Sequence, residues 1–405
     1  MTKRLLVILV DGCREDYISK VHMPFTSDLY ERNTHSSLET ILGYSNAIRA
    51  TAFTGTLPST HGRWCNFAYD PPNSPYREIQ HLGFLDHLPV DIAKRASKFF
   101  LSKTLMKTIA SRKGHHSLEL GNIPIHLLQN FIFTGTDTQS VGTREVLSLF
   151  EVLAQNGMRY KYVEFPYLTR SRHIRLLQDS LKDNDVLIVY LPHLDGAAHW
   201  FGISSQRFGR KLEYVDKLVG RLFAIARERW GSDFDFLLFS DHGMCDVHEY
   251  IDFFDISTRW ERRLNEDYDV FLDSTMARFW YKDDHVKDDV GRLAQGLNGH
   301  FLTSSEIKQF GIAFEHNRYG DDIFLLEPGS VFFPCYLSWV RPKAMHGYSP
   351  VSRSQHGVVI LRSDSVERRT FSSARMVDIM PTLLDMLDLE IPSSCEGKSL
   401  LMGRQ

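Results

Sequence analysis

Three short apolar runs punctuate the chain: Leu5–Val10, Val186–Leu191 and Phe236–Phe239. The first two are rich in β-branched residues, and none alternates polar with apolar positions. A continuous apolar run bounded by polar loops is the pattern of a strand covered on both faces. Each run leads within a few residues to an acidic side chain: Asp11, Asp195 and Asp241. Between the second and third runs, Leu212, Val215, Leu218, Val219, Leu222 and Ile225 recur at helical spacing over Lys211–Arg227. Strands alternating with amphipathic helices predict an α/β fold with a mainly parallel central sheet and helices on both faces. Ligands gather at the carboxyl ends of such strands, where all three acids fall.

Two regions interrupt this alternation. Residues from about 82 to 140 are rich in Leu, Phe, Lys and His and read as an inserted, partly helical segment. Residues 265–340 carry strand-like pieces (Ala277–Tyr281, Ile323–Leu326) and a helical one (Lys287–Leu297), which predicts a small inserted α+β cap. Core character then returns, with Val358–Leu361 read as a strand and Ala374–Leu387 as a helix. The expected organisation is a core over residues 1–264, the cap over 265–340, and completion of the core by 341–405.

Composition narrows the partners. A net charge of -3 gives no global attraction to a nucleic acid polymer or an anionic membrane, so any anionic ligand must be met by local charge. The five cysteines are scattered and form no C-x-x-C pair, which argues against a disulfide framework or a thiolate zinc site and fits a reducing compartment. Leu5–Val10 is too short for a signal peptide core and lacks a small-residue cleavage site after it. No stretch approaches the roughly 20 apolar residues of a membrane span. The expectation is a cytoplasmic protein. One segment stands apart: seven lysines and arginines and no acid lie between Lys94 and Lys113, interleaved with Phe99, Phe100, Leu101, Leu105, Met106 and Ile109. It can be a helix packing its stripe on the core, a lid over a phosphorylated substrate, or a peripheral membrane contact.

The candidate chemistry lies in the loops after the strands. Asp195 and His199 form D-x-x-x-H, whose spacing puts both side chains on one face of a helix, as a capping pair or as metal ligands. Asp241-His242-Gly243 directly follows a strand, with Gly243 permitting a tight turn. His346-Gly347-Tyr348 lies in a polar loop. A binuclear site needs two sets of about three oxygen and nitrogen ligands. Asp11, Asp195, His199, Asp241, His242 and His346 supply six, and a carboxylate–imidazole set without thiolate suits zinc or manganese.

These residues resemble the alkaline phosphatase superfamily, most closely its nucleotide pyrophosphatase/phosphodiesterase branch. The resemblance rests on an ordered set spread from Leu5 to about Ser399. It comprises Val10-Asp11-Gly12, Thr54-Gly55-Thr56-Leu57-Pro58-Ser59-Thr60-His61-Gly62, Asn66 with Tyr69-Asp70-Pro71, Asp195 to His199 with Gly202, Ser240-Asp241-His242-Gly243-Met244, and His346-Gly347-Tyr348. It implies an alkaline-phosphatase-like fold with Asp195, His199 and His346 at a first metal and Asp11, Asp241 and His242 at a second. The family nucleophile precedes the Thr-Gly-x-x-Pro run by nine residues, which points to Ser45, itself a possible second-metal ligand and equally a plain helix N-cap. Asn66, 21 residues further on, matches the asparagine that donates to a non-bridging phosphoryl oxygen.

The implied activity is hydrolysis of a phosphodiester or pyrophosphate bond in a small nucleotide or lipid-head-group substrate, with two divalent metals (zinc, or manganese) and a phosphoserine intermediate on Ser45. The sequence departs from the branch after the nucleophile, where Asn46-Ala47-Ile48-Arg49 replaces Pro-Asn-His. Arg49 lies one helical turn beyond Ser45, either as a substrate-binding clamp for a second phosphate or monoester dianion or as a surface arginine. It keeps open a phosphomonoesterase or phosphomutase-like enzyme. A sulfatase is disfavoured by the missing proline of the C/S-x-P-x-R context. A catalytically silent phosphate-binding relative is disfavoured by retention of all six ligands, the hydroxyl and Asn66. His356, in Ser354-Gln355-His356-Gly357, rivals His346 as a ligand.

Overall fold

The computed structural model describes residues 3–87, 122–135, 138–142, 145–166, 171–363 and 373–402. The basic segment 94–113 lies outside them. The chain forms two compact units: Met1–His61 with Asp137–Asp246 and Lys343–Gln405, and Gly62–Thr136 with Val247–Pro342.

The first unit is built on a seven-stranded sheet in the order Ala374–Arg375, Thr34–Glu39, Gly357–Arg362, Asp235–Phe239, Leu5–Val10, Val186–Leu191, Tyr160–Glu164. Its strands run parallel apart from Gly357–Arg362, which is antiparallel to both neighbours. Leu5–Val10 lies between Asp235–Phe239 and Val186–Leu191, and every residue of these three strands is buried. That double covering is why their sequences are unbroken apolar runs rather than alternating ones.

The helix Gln206–Trp230 packs on this sheet through Phe208, Leu212, Val215, Leu218, Val219, Leu222 and Ile225, all buried in one cluster with Leu6, Ile8, Leu187, Val189, Phe236 and Leu238. Ser205 caps its start by accepting from Phe208 N at 3.1 Å. One charged residue interrupts the buried stripe. Asp216 is 3% exposed, and its carboxylate accepts from Thr26 N (2.8 Å), Thr26 Oγ1 (2.7 Å) and Phe25 N (3.1 Å). These are first-turn groups of the helix Pro24–Arg32, whose amides have no partner within their own helix.

The C-terminal helix is shorter than its apolar spacing suggests. Ala374–Arg375 is an edge strand, Met376–Asp378 a 3-10 turn, and the α-helix runs over Ile379–Met386. Pro381 explains the late start, because it lacks an N–H and is tolerated only in a helix's first turn. The Asp378 carboxylate stabilises the junction, accepting from Arg375 N (3.0 Å) and Lys398 N (2.9 Å).

The second unit contains a four-stranded antiparallel sheet in the order Tyr268–Leu272, Met276–Tyr281, Asp322–Leu326, Gly299–Phe301. The helix beside it spans Asp284–Leu293, with Asp283 as its cap, and ends in a 3-10 turn over Ala294–Gly296. Arg278 and Asp273 form a fully buried ion pair (Nε–Oδ2 2.5 Å), and Arg278 Nη1 also donates to Phe67 O at 2.8 Å. No helix among the described residues is long and apolar enough to cross a membrane.

Replacing Asp216 with alanine leaves two amides, one of them fully buried, and a buried hydroxyl without their acceptor. The variant is expected to lose about 2 kcal/mol of unfolding free energy in urea titrations at fixed metal concentration. A loss within about 0.5 kcal/mol of zero, the ordinary range for a surface change, would show that the carboxylate does not hold the two helices together.

Candidate active site and metal centre

The candidate site lies in the first unit, at the carboxyl edge of its sheet. Asp11 follows the strand Leu5–Val10, and Asp241 and His242 follow Asp235–Phe239. After Val186–Leu191 the chain enters the helix His193–Phe201 almost at once, with Asp195 in its first turn and His199 in its last. The loops are interlocked: Asp11 N donates to Leu191 O (3.0 Å) and Asp195 N to Asp11 O (3.2 Å). Two glycines make this possible. Gly12 has φ +72°, and a Cβ there would sit 3.2 Å from Asp195 Cα. A Cβ on Gly243 would lie 2.3 Å from Ser354 O.

Two overlapping donor sets result. In Asp11, Asp241 and His242, one ligand atom from each lies within 4.8 Å of the others, and the same holds for Asp195, His242 and His346. His199 joins the second set, its Nε2 lying 3.0 Å from Asp195 Oδ1. His242 therefore belongs to both. Its ring stacks on that of His346 with centroids 3.6 Å apart and planes 7° from parallel. Ser45 is the first residue of the helix Ser45–Thr54; Tyr44 holds the cap position. Ser45 Oγ lies 3.2 Å from His242 Nε2.

The electrostatics of this cluster are strained without a cation. Oδ1 of Asp11, Oδ1 of Asp195 and Oδ2 of Asp241 are buried and engage in no hydrogen bond. Burial and the Asp11 charge push the Asp241 carboxyl up to about 7. Burial raises the Asp11 carboxyl too, but the His242 imidazole and the Tyr190 hydroxyl outweigh it and leave the carboxyl below its ordinary value. Burial disfavours charge on His242, yet Asp241 and Asp11 drive its pKa up to about 10. His346 is pushed well below its usual value by burial and by His242 and His199.

These groups fit a pair of divalent cations. His199 Nδ1 donates to Ala344 O (2.8 Å) and His242 Nδ1 to Gly243 O (2.9 Å), which leaves each Nε2 lone pair directed at the carboxylates. Buried carboxylate oxygens without donors, beside imidazoles fixed in that tautomer, are what an oxygen- and nitrogen-liganded metal requires.

The remaining sequence candidates lie as follows. Arg49 is not a surface residue. Its side chain is 12% exposed, its Nη2 donates to Asn46 Oδ1 (2.7 Å), and its guanidinium covers the Tyr190 ring at 4.7 Å. Asn66 lies in the second unit, directly before the strand Phe67–Tyr69, and its carbonyl accepts from Thr134 N at 2.8 Å. His356 is in neither donor set; its Nε2 donates to Pro350 O at 2.8 Å. Tyr190, whose hydroxyl donates to Asp11 Oδ2, was hidden from sequence reasoning inside an apolar strand.

The fold is that of an alkaline-phosphatase-like α/β protein. The profile of the family described as type I phosphodiesterase / nucleotide pyrophosphatase matches residues 5–349, and the chain belongs to that family. An uncharacterized pyrophosphatase/phosphodiesterase of Schizosaccharomyces pombe is 24% identical over 248 residues, 60% of this chain and 44% of the relative. The match thus spans less than half the length of that relative. Among solved structures, murine ectonucleotide pyrophosphatase/phosphodiesterase 5 superposes with a TM-score of 0.71 at 15% identity, with 96% of each chain covered. The human counterpart gives 0.70 at 13% identity over 96% of each chain. An inactive form of the murine protein in complex with AMP likewise gives 0.70 at 15% identity over 96% of each chain.

Protein stripped with a chelator is expected to take up two equivalents of Zn²⁺ or Mn²⁺. At metal concentrations a hundredfold above the dissociation constant it should gain about 3 kcal/mol of stability per site, read as a rise in melting temperature. Melting that ignores both chelator and metal would contradict the site.

Proposed function

We propose that the chain is a metal-dependent hydrolase that cleaves a phosphodiester or pyrophosphate bond in a small nucleotide-type substrate through a phosphoserine intermediate on Ser45. The observation that carries this reading is the placement of Ser45 Oγ at a helix N-terminus, 3.2 Å from the Nε2 of the histidine common to both donor sets. Family membership and the AMP complex of the murine neighbour support a nucleotide as substrate class.

When bound, two divalent cations held by Asp11, Asp241 and His242 and by Asp195, His199 and His346 would supply positive charge to the phosphoryl, entering and leaving oxygens. The rest falls to the chain. The helix dipole favours negative charge on Ser45 Oγ, whose proton passes to solvent. Attack in line forms the Oγ–P bond as the bond from phosphorus to the leaving oxygen breaks, and that oxygen keeps the electron pair. Water then attacks phosphorus, the Oγ–P bond breaks and the serine hydroxyl is restored. The family resemblance assigns Asn66 as donor to a non-bridging oxygen, which as an uncharged group suits the single charge of a diester.

The test compares bis-p-nitrophenyl phosphate with p-nitrophenyl phosphate. The diester is expected to be preferred, with loss of turnover in chelator. Ser45→Ala should lower kcat by roughly three orders of magnitude or more while both metals stay bound. Near-wild-type activity in that variant would sink the nucleophile assignment, and preference for the monoester would move the reading to a phosphatase. Asn66→Ala is expected to cost about 100-fold or more in kcat on the diester; an unchanged kcat would remove it from the reaction.

A further inference from the structure

The two oxygens of Asp11 have different surroundings. Oδ1 lies 3.0 Å from His242 Nε2 and engages in no hydrogen bond, so it is the oxygen available to a cation. Oδ2 accepts the hydroxyl proton of Tyr190. Tyr190 stands one residue from the end of its strand, in register with Leu9 on one side and Glu164 on the other. Its ring is capped by the Arg49 guanidinium at 4.7 Å. That guanidinium is held in turn by Asn46 Oδ1 at 2.7 Å and approaches Glu164 Oε1 at 3.8 Å. A continuous chain of contacts thus runs from the helix that begins at Ser45, through Arg49 and Tyr190, to Asp11.

We infer that Tyr190 is a positioning residue that commits Asp11 to one-point ligation through Oδ1, and that Arg49 steadies Tyr190 by packing on its ring. The inference rests on the proposal that Asp11 holds a divalent cation. A carboxylate with both oxygens free can rotate about its Cβ–Cγ bond or chelate through both. A hydrogen bond on one oxygen fixes the rotation and leaves the other as ligand, and such outer partners tune metal affinity. A cation over a desolvated ring restrains the ring's tilt. Nothing else in the proposed reaction calls for a phenol here, and a purely apolar strand end would ask for Phe.

The test is equilibrium binding of Mn²⁺ to the metal-stripped full chain in chelator-buffered solutions. Tyr190→Phe deletes one oxygen and is expected to weaken one of two equivalents by about 10- to 100-fold, leaving the other unchanged. Arg49→Gln should weaken the same equivalent, which keeps the inference testable if Tyr190→Phe does not fold. Tyr162→Phe removes a neighbouring hydroxyl bonded to Glu164 Oε1 (3.1 Å) rather than to Asp11, and should bind both equivalents as the wild type does. Wild-type affinity at both sites in Tyr190→Phe, or equal weakening of both, would overturn the positioning role alone. Absence of Mn²⁺ uptake by the wild type would overturn the metal reading and this inference with it.

Discussion

Three carboxylates converge on one buried histidine at the edge of the main sheet, and the rest of the first unit is arranged to hold them there. Asp11, Asp195 and Asp241 each present a buried oxygen without a hydrogen bond, and His242 stands between them. Burying a single such charge without a partner is costly, and burying three is tolerable only if positive charge is supplied. Protonation of His242 and of Asp241 is the response open to the protein alone. A pair of divalent cations answers the same demand more completely and gives the cluster something to do. The instability that would be a defect in a structural core would, in the proposed reading, be the driving force for metal uptake.

The topology makes this concentration of charge possible. Adjacent parallel strands end at the same edge, so the loops after Val10, Leu191 and Phe239 meet without long excursions. Gly12 and Gly243 let these loops approach to distances that a Cβ would forbid. The helix His193–Phe201 then needs only one turn between Asp195 and His199 to set both on the same face. His346 comes from a distant part of the chain, and stacks on His242. The long helix Gln206–Trp230 covers the apolar face of the same strands, which fixes the edge from behind.

Much of this was legible in the sequence because the relevant signals were local. Unbroken apolar runs marked the three central strands, and the acids at their ends marked the edge where chemistry would collect. The helical stripe from Leu212 to Ile225 was equally plain. What escaped depended on contacts between distant residues. The family resemblance implied two separate triads for the six ligands, whereas the fold places His242 within reach of both groups. Tyr190 looked like one more core aromatic, since nothing in a strand's pattern tells which side chain will meet a carboxylate. Asp216 would pass for a solvent-facing helix residue until the helix Pro24–Arg32 is laid against it. His346 and His356 had similar local settings, and the fold separates them: His346 stacks on His242 within a donor set, whereas His356 donates to Pro350 O. The late start of the last helix followed from Pro381, a local signal that the apolar spacing around it had masked.

The most direct test of the account is anomalous X-ray scattering from crystals of the wild-type protein grown with Mn²⁺. Two peaks are expected, one beside Asp11 and Asp241 and one beside Asp195, His199 and His346, with His242 adjoining the pair. A cluster without any peak, its carboxylates paired instead with the protonated histidine, would contradict the central claim that these buried charges exist to hold metal.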